Sequence, residues 1–132
     1  MSKSLQISDA EWDVMEPIWE AGGEPRMAAE VIRQLRETHD WNPSTIRTLL
    51  ARLVEKGALA YDVDGSRYLY RAAVSREQCV RQEGRSFLDK AFGGDVAALL
   101  THFVSEAALD RDQIEQLRQL LAQKKSPKEK RS

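Results

Sequence analysis

At Gly57 the spacing of apolar residues changes from helical to alternating, and no other feature constrains the fold of this chain as tightly. Upstream, Ile46, Leu49, Leu50, Leu53 and Val54 form one stripe of a helix. Downstream, Leu59, Tyr61 and Val63, then Tyr68, Tyr70 and Ala72, alternate on either side of Asp64-Gly65, the strongest hairpin signal in the chain.

Two more helices are expected ahead of that switch. Ser8 and Glu11 stand at capping-box spacing before Trp12, Met15, Ile18 and Trp19, which predicts a first helix over about 9–21. Pro17 inside it should kink the helix or leave one amide unpaired, and Gly22-Gly23 should stop it. A second helix, roughly 27–38, buries Ala28, Val31, Ile32 and Leu35 and turns Arg33, Arg36 and Glu37 outward. His39 is expected at its end, favourably placed for the helix dipole. Asn42-Pro43 opens the third helix with Pro at its first position, and Gly57 closes it as a left-handed cap. Three helices followed by a hairpin is the order of a winged helix-turn-helix domain, placed at residues 1–73.

Beyond Ser75 the pattern is helical again. One helix over about 75–92 carries Val80, Phe87, Leu88, Ala91 and Phe92; Gly93-Gly94 breaks it and Asp95 can cap the next. That helix holds Val96, Leu99, Leu100, Phe103, Val104 and Ala107. Asp110 can cap a last one with Ile114, Leu117, Leu120 and Leu121. Three such short segments have little room to cover one another, and each fully buried Leu or Phe is worth about 1.5–3 kcal/mol. Burial against a second copy is the economical solution, so Phe87, Leu88, Phe92, Val96, Leu99, Leu100, Phe103, Val104, Leu117 and Leu121 are expected to dimerise the chain. The alternative is a compact single domain with all helices around one core. The fold class is thus mainly α with a small β-hairpin: a winged helix-turn-helix domain, a helical dimerisation domain over 74–124, and a charged tail, 125–132, expected to be disordered.

The third helix is the candidate for a DNA groove. Ser44, Thr45, Thr48 and Ala51 are short and would let its backbone sit deep, and Arg47 could reach a guanine edge. Arg52 lies on the same outer side, and Glu55 is expected beyond the groove edge. Arg67 stands near the hairpin tip, where a wing would meet the sugar–phosphate backbone or minor groove, whereas Ser66 reads as a plain turn residue. Trp12 and Trp19 belong to the core, and Tyr68 and Tyr70 pack on the sheet. Tyr61 packs at the core edge, with an approach to phosphate as the alternative, and Trp41 could join the core or stack on bases. The net charge of −1 hides a gradient. Residues 1–42 hold four Lys/Arg, Lys3 among them, against nine Asp/Glu, while residues 43–73 hold five against three. Two copies would present the small basic patch twice, to a palindromic duplex. The acidic first 42 residues motivate the alternative function, a winged-helix protein-interaction module without specific DNA binding.

Other classes find no support. Cys79 is the single cysteine, and His39 and His102 have no partner at ligand spacing, so no metal, cofactor or catalytic set is expected. There is no Gly-rich phosphate loop or nucleophile elbow. No run is long enough to span a bilayer and no leader opens the chain, which predicts a cytoplasmic protein without membrane insertion.

The residues resemble the penicillinase-repressor family, of BlaI/MecI/CopY type, from Ile7 to Leu121. The resemblance is carried by Ser8-Asp9-Ala10-Glu11-Trp12-Asp13-Val14-Met15 with Ile18-Trp19, and by Ser44-Thr45-Ile46-Arg47-Thr48-Leu49-Leu50-Ala51-Arg52-Leu53 with Lys56-Gly57. Tyr68-Leu69-Tyr70 and Phe87-Leu88 with Gly93-Gly94-Asp95 complete it. It implies a winged-helix repressor of a resistance or stress operon, dimerised by its C-terminal helices. In lactam-responsive members it also implies a membrane receptor-protease pathway and cleavage of an Asn-Phe bond, which matches His102-Phe103 here. The paired C-terminal cysteines of the copper-responsive members are absent, which excludes that branch.

Overall fold

The computed structural model describes residues 5–106 and 109–131, with the backbone alone for 125–131. Of the residues singled out above, Lys3, Ala107 and Ser132 lie outside the described ones.

Helix α1 (Asp9–Glu20) starts as its sequence predicts. The Glu11 amide donates to the Ser8 hydroxyl at 3.2 Å, and the Ser8 amide donates to the Glu11 carboxylate at 2.9 Å. Pro17 sits inside α1 without ending it, and its carbonyl accepts from the Arg26 guanidinium at 3.1 Å. Helix α2 (Ala28–Arg36) is shorter than expected at both ends. At its front, Arg26–Met27 form a strand, β1, where the sequence reading has none. Two residues show no period, and Met27 reads equally well as the start of α2. Beyond Arg36 the chain turns, with the Thr38 and His39 amides both on the Leu35 carbonyl.

Helix α3 (Pro43–Lys56) and the hairpin of β2 (Leu59–Asp64) and β3 (Arg67–Ala72) follow the prediction. Gly57 leaves α3 at φ +86°, a left-handed geometry that glycine takes without a Cβ clash. Asp64 pairs with Arg67, so the two-residue connection is Gly65-Ser66, with Gly65 at φ +68°. The sheet is antiparallel in the order β1-β3-β2. Under it, Val14, Met15, Ile18, Val31, Leu35, Ile46, Leu50, Leu53 and Leu59 form one core, with Trp19, Trp41 and Tyr70 packed at its edge. That resolves Trp41 as a packing residue, its ring centroid 4.2 Å from that of His39. Trp12 is not in this core. It is half-buried, edge-on to Trp19 at 5.4 Å, with its indole N–H on Glu16.

The chain divides into two compact units, the first ending at Gly84 and the second beginning at Arg85. The expected boundary at 73/74 therefore falls short. The start of α4 (Arg76–Phe92) belongs with the winged helix, because Trp19 donates to the Val74 carbonyl at 3.0 Å, Arg76 pairs with Glu16 at 3.2 Å and Cys79 is buried. In the second unit, Asp95 caps α5 (Val96–Ser105) and Asp110 caps α6 (Arg111–Arg131) through the amides of Ala98 and Gln113. Helix α6 runs through the tail that the sequence reading leaves without structure. Lys, Glu and Arg are good helix formers, and lengthening an existing helix needs no new nucleus. No helix among the described residues is long and apolar enough to cross a membrane.

Candidate nucleic-acid interface

Burial of Ile46, Leu49, Leu50 and Leu53 fixes the rotation of α3 about its axis. At about 100° per residue, the centre of the opposite face is held by Ser44, Thr48, Ala51 and Glu55. Thr45 and Arg52 lie on one flank and Arg47 on the other, and all seven are exposed. The expected short-side-chain edge is therefore present on the solvent side of the domain. Its first hydroxyls are partly engaged: the Ser44 and Thr45 hydroxyls donate to Asn42 Oδ1 at 2.7 and 3.2 Å, as does the Thr45 amide at 3.0 Å. Asn42 so holds the start of the helix, and Thr48 and Ala51 form its plainest short surface.

The far end of α3 is anchored by charge. Lys56 pairs with the buried carboxylate of Glu11 and donates to the Gln6 carbonyl at 2.6 Å. Burial pushes the Glu11 carboxyl up, but the hydrogen bonds from Lys56 and Ser8 and the Lys56 charge outweigh it and hold it below its ordinary value.

The wing carries its cations in pairs. Arg67 meets Asp64 at 3.5 Å and leans toward the Met27 sulfur at 3.7 Å, while Arg71 meets Asp62 at 2.7 Å. Register puts Tyr61, Tyr68 and Tyr70 on the face of the sheet that Leu59 anchors to the core. Toward the tip that face emerges into solvent, with Tyr61 stacked on Tyr68 at 4.8 Å. Burial raises the Tyr70 phenol above its usual value, Tyr68 and Tyr61 add to the rise, and the nearby Arg47 charge opposes it.

Between α3, the front of α2 and the wing lies a cleft of about 580 Å³, lined by Met27, Ala28, Ala29, Arg47, Ser66, Arg67, Tyr68 and Tyr70. Arg47 also borders a second cleft of about 400 Å³ with Arg33 and Arg36 of α2. Sequence reasoning missed this alignment of Arg33, Arg36, Arg47 and Arg67, and it assigned Tyr68 only a packing role. The spacing of Arg33 and Arg36 on one outer face of α2 is the signal that could have found part of it.

In the second unit the residues expected to dimerise are unevenly covered. Leu88 is buried within the chain, and Phe92, Leu99, Leu100 and Leu117 are half-buried. Phe87, Val96, Phe103, Val104 and Leu121 are exposed. Phe87, Phe92, His102 and Phe103 form a string of ring contacts, with successive centroids 6.0, 5.9 and 5.4 Å apart. No residue of α5 is buried, and Val96, Phe103 and Val104 of its apolar stripe are exposed.

The sequence profile of the penicillinase repressor family matches residues 7–123. The penicillinase repressor of Bacillus licheniformis is 34% identical over 128 residues, covering 97% of this chain and 98% of that protein. The methicillin resistance regulatory protein MecI of Staphylococcus aureus strain N315 is 33% identical over 123 residues, covering 93% and 98%. Among solved structures, the DNA-binding domain of the repressor BlaI is 41% identical with a TM-score of 0.51, over 58% of this chain and 90% of that one.

Proposed function

This chain belongs to the penicillinase repressor family, and from that premise we propose that it is a homodimeric transcriptional repressor that binds a palindromic operator through α3 and the wing. It is a DNA-binding regulator and not an enzyme. The observation that carries the reading is the exposed edge of Ser44, Thr45, Thr48 and Ala51, flanked by Arg47 and Arg52, in a domain 41% identical to the DNA-binding domain of BlaI. Short side chains let the helix approach base edges closely, where each good contact contributes about 1–3 kcal/mol of discrimination. Arg67 on the wing supplies a backbone contact.

Dimerisation is supported by the exposed Val96, Phe103 and Val104 of α5 and Leu121 of α6, which are costly to leave in water. The chain would act on cytoplasmic DNA, in a circuit of the resistance type that the names of its relatives describe. Release would follow cleavage of His102-Phe103 through a membrane receptor-protease pathway. That bond lies in the last turns of α5, and cutting it would split the proposed dimer surface.

Selection from a random-sequence duplex pool, followed by footprinting, tests the DNA reading; it should return one palindromic site of two half-sites. Sedimentation tests the rest. The full chain should be dimeric at micromolar concentration, and a chain ending at His102 largely monomeric with poor affinity for the selected site. A truncated chain that stays dimeric would remove the basis for release by cleavage. Selection that returns no preferred sequence would remove the repressor reading.

A further inference from the structure

Resting on the DNA reading above, we infer that Arg47 does not read a base: with Arg67 and Tyr68 it seats the sugar–phosphate backbone of one DNA strand in the cleft between α3 and the wing. Arg47 lies about 70° round the helix from the centre of the exposed face, on the side that turns toward α2 and the wing. It lines the 580 Å³ cleft together with Arg67, and its charge reaches Tyr70 on the far wall. A guanidinium reading guanine needs its planar edge at the floor of the major groove. That task suits the middle of the face, where Thr48 and Ala51 stand, and not its flank.

The cleft is chemically matched to a polyanionic strand. Two guanidinium groups line it and no carboxylate does; Asp64 meets Arg67 only at 3.5 Å, with both side chains mostly exposed. On the other side of Arg47 the second cleft adds Arg33 and Arg36 against the single acid Glu37. Successive phosphates along one strand would so meet cations at several points. The exposed Tyr68 offers an apolar ring to a deoxyribose and a hydroxyl to a phosphate oxygen.

Arg47→Ala and Arg47→Lys distinguish the two roles. Fluorescence anisotropy would measure each full-length variant on two duplexes: the one the wild type selects from a random pool, and a scramble of equal length and composition. A backbone contact predicts that Arg47→Ala weakens both by the same factor, within about twofold. One phosphate contact contributes about 0.9 to the slope of log affinity against log salt, so that factor should shrink about 3.5-fold between 50 and 200 mM salt. Arg47→Lys, which keeps the charge, should stay within about threefold of wild type on both duplexes, and it decides the matter if the alanine variant folds poorly. A loss confined to the selected duplex, in either variant, would overturn the inference and return Arg47 to base reading. No effect of Arg47→Ala on either duplex would overturn it as well. A wild-type chain that selects no sequence would bring down the function proposed above, and this assignment with it.

Discussion

Removing the Glu11 carboxylate should unlatch α1 from the end of α3. Glu11 is 2% exposed and is the one buried charged side chain among the described residues. Its oxygen accepts from the Ser8 amide at 2.9 Å, a bond to a charged acceptor that is worth about 1.5–3 kcal/mol. The pair with Lys56 adds at most about 1 kcal/mol, since the Lys56 side chain is 34% exposed and can be rehydrated. Glu11→Ala should therefore cost about 3 kcal/mol, a large part of the roughly 5–15 kcal/mol that holds a domain together. Glu11→Gln keeps an acceptor oxygen and the shape of the side chain, and should cost about 1 kcal/mol. Urea unfolding followed by tryptophan emission suits the measurement, because Trp12 and Trp19 lie on α1 itself. The pH dependence has a definite sign. The folded carboxyl sits below its ordinary value, so its contribution is complete above the usual carboxylate range and disappears as pH falls through the depressed value. The gap between wild type and Glu11→Gln should narrow on acidification. Both variants lying within about 0.5 kcal/mol of wild type at pH 7, or a gap that widens in acid, would refute the reasoning.

Two glycines should respond in opposite directions in the same unfolding assay. Gly57→Ala forces a Cβ into a φ of +86° and should cost about 1–2 kcal/mol, whereas Gly84→Ala, in open space on helix α4, should gain about 0.5–1 kcal/mol; equal effects would contradict the helix ends described. Burial pushes the Cys79 thiol above its ordinary value, so a disulfide reagent at pH 8 should modify the native chain far more slowly than the chain in urea. Equal rates would mean that the start of α4 does not pack on the first unit.

The elements legible in the sequence were those with a strong period of their own. The stripe of Ile46, Leu49, Leu50 and Leu53 fixed both the existence of α3 and its rotation, and with it the solvent-facing edge of Thr48 and Ala51. Alternation around Asp64-Gly65 did the same for the hairpin. β1 was not legible, because the strand partners of its two residues, Tyr70 and Leu69, lie far along the chain. The attachment of early α4 was hidden for a similar reason: Arg76 and Cys79 sit in a polar stretch whose partners, Glu16 and Trp19 among them, are some sixty residues upstream. The cleft around Arg47 assembles Met27, Arg47 and Tyr68 from three separate elements, and no local spacing encodes that meeting. Local chemistry also decided details that composition left open, such as the capture of the Ser44 and Thr45 hydroxyls by Asn42.

Among the described residues the sheet order leaves β2 with one long side unpaired, which is a template on which a strand from another molecule could add. Asp62 and Asp64 stand on that outer strand, each matched by an arginine of β3 and both well exposed to water. An incoming strand would have to dehydrate those carboxylates and disturb their partners to extend the ladder. The wing can thus project from the domain without inviting edge-to-edge growth.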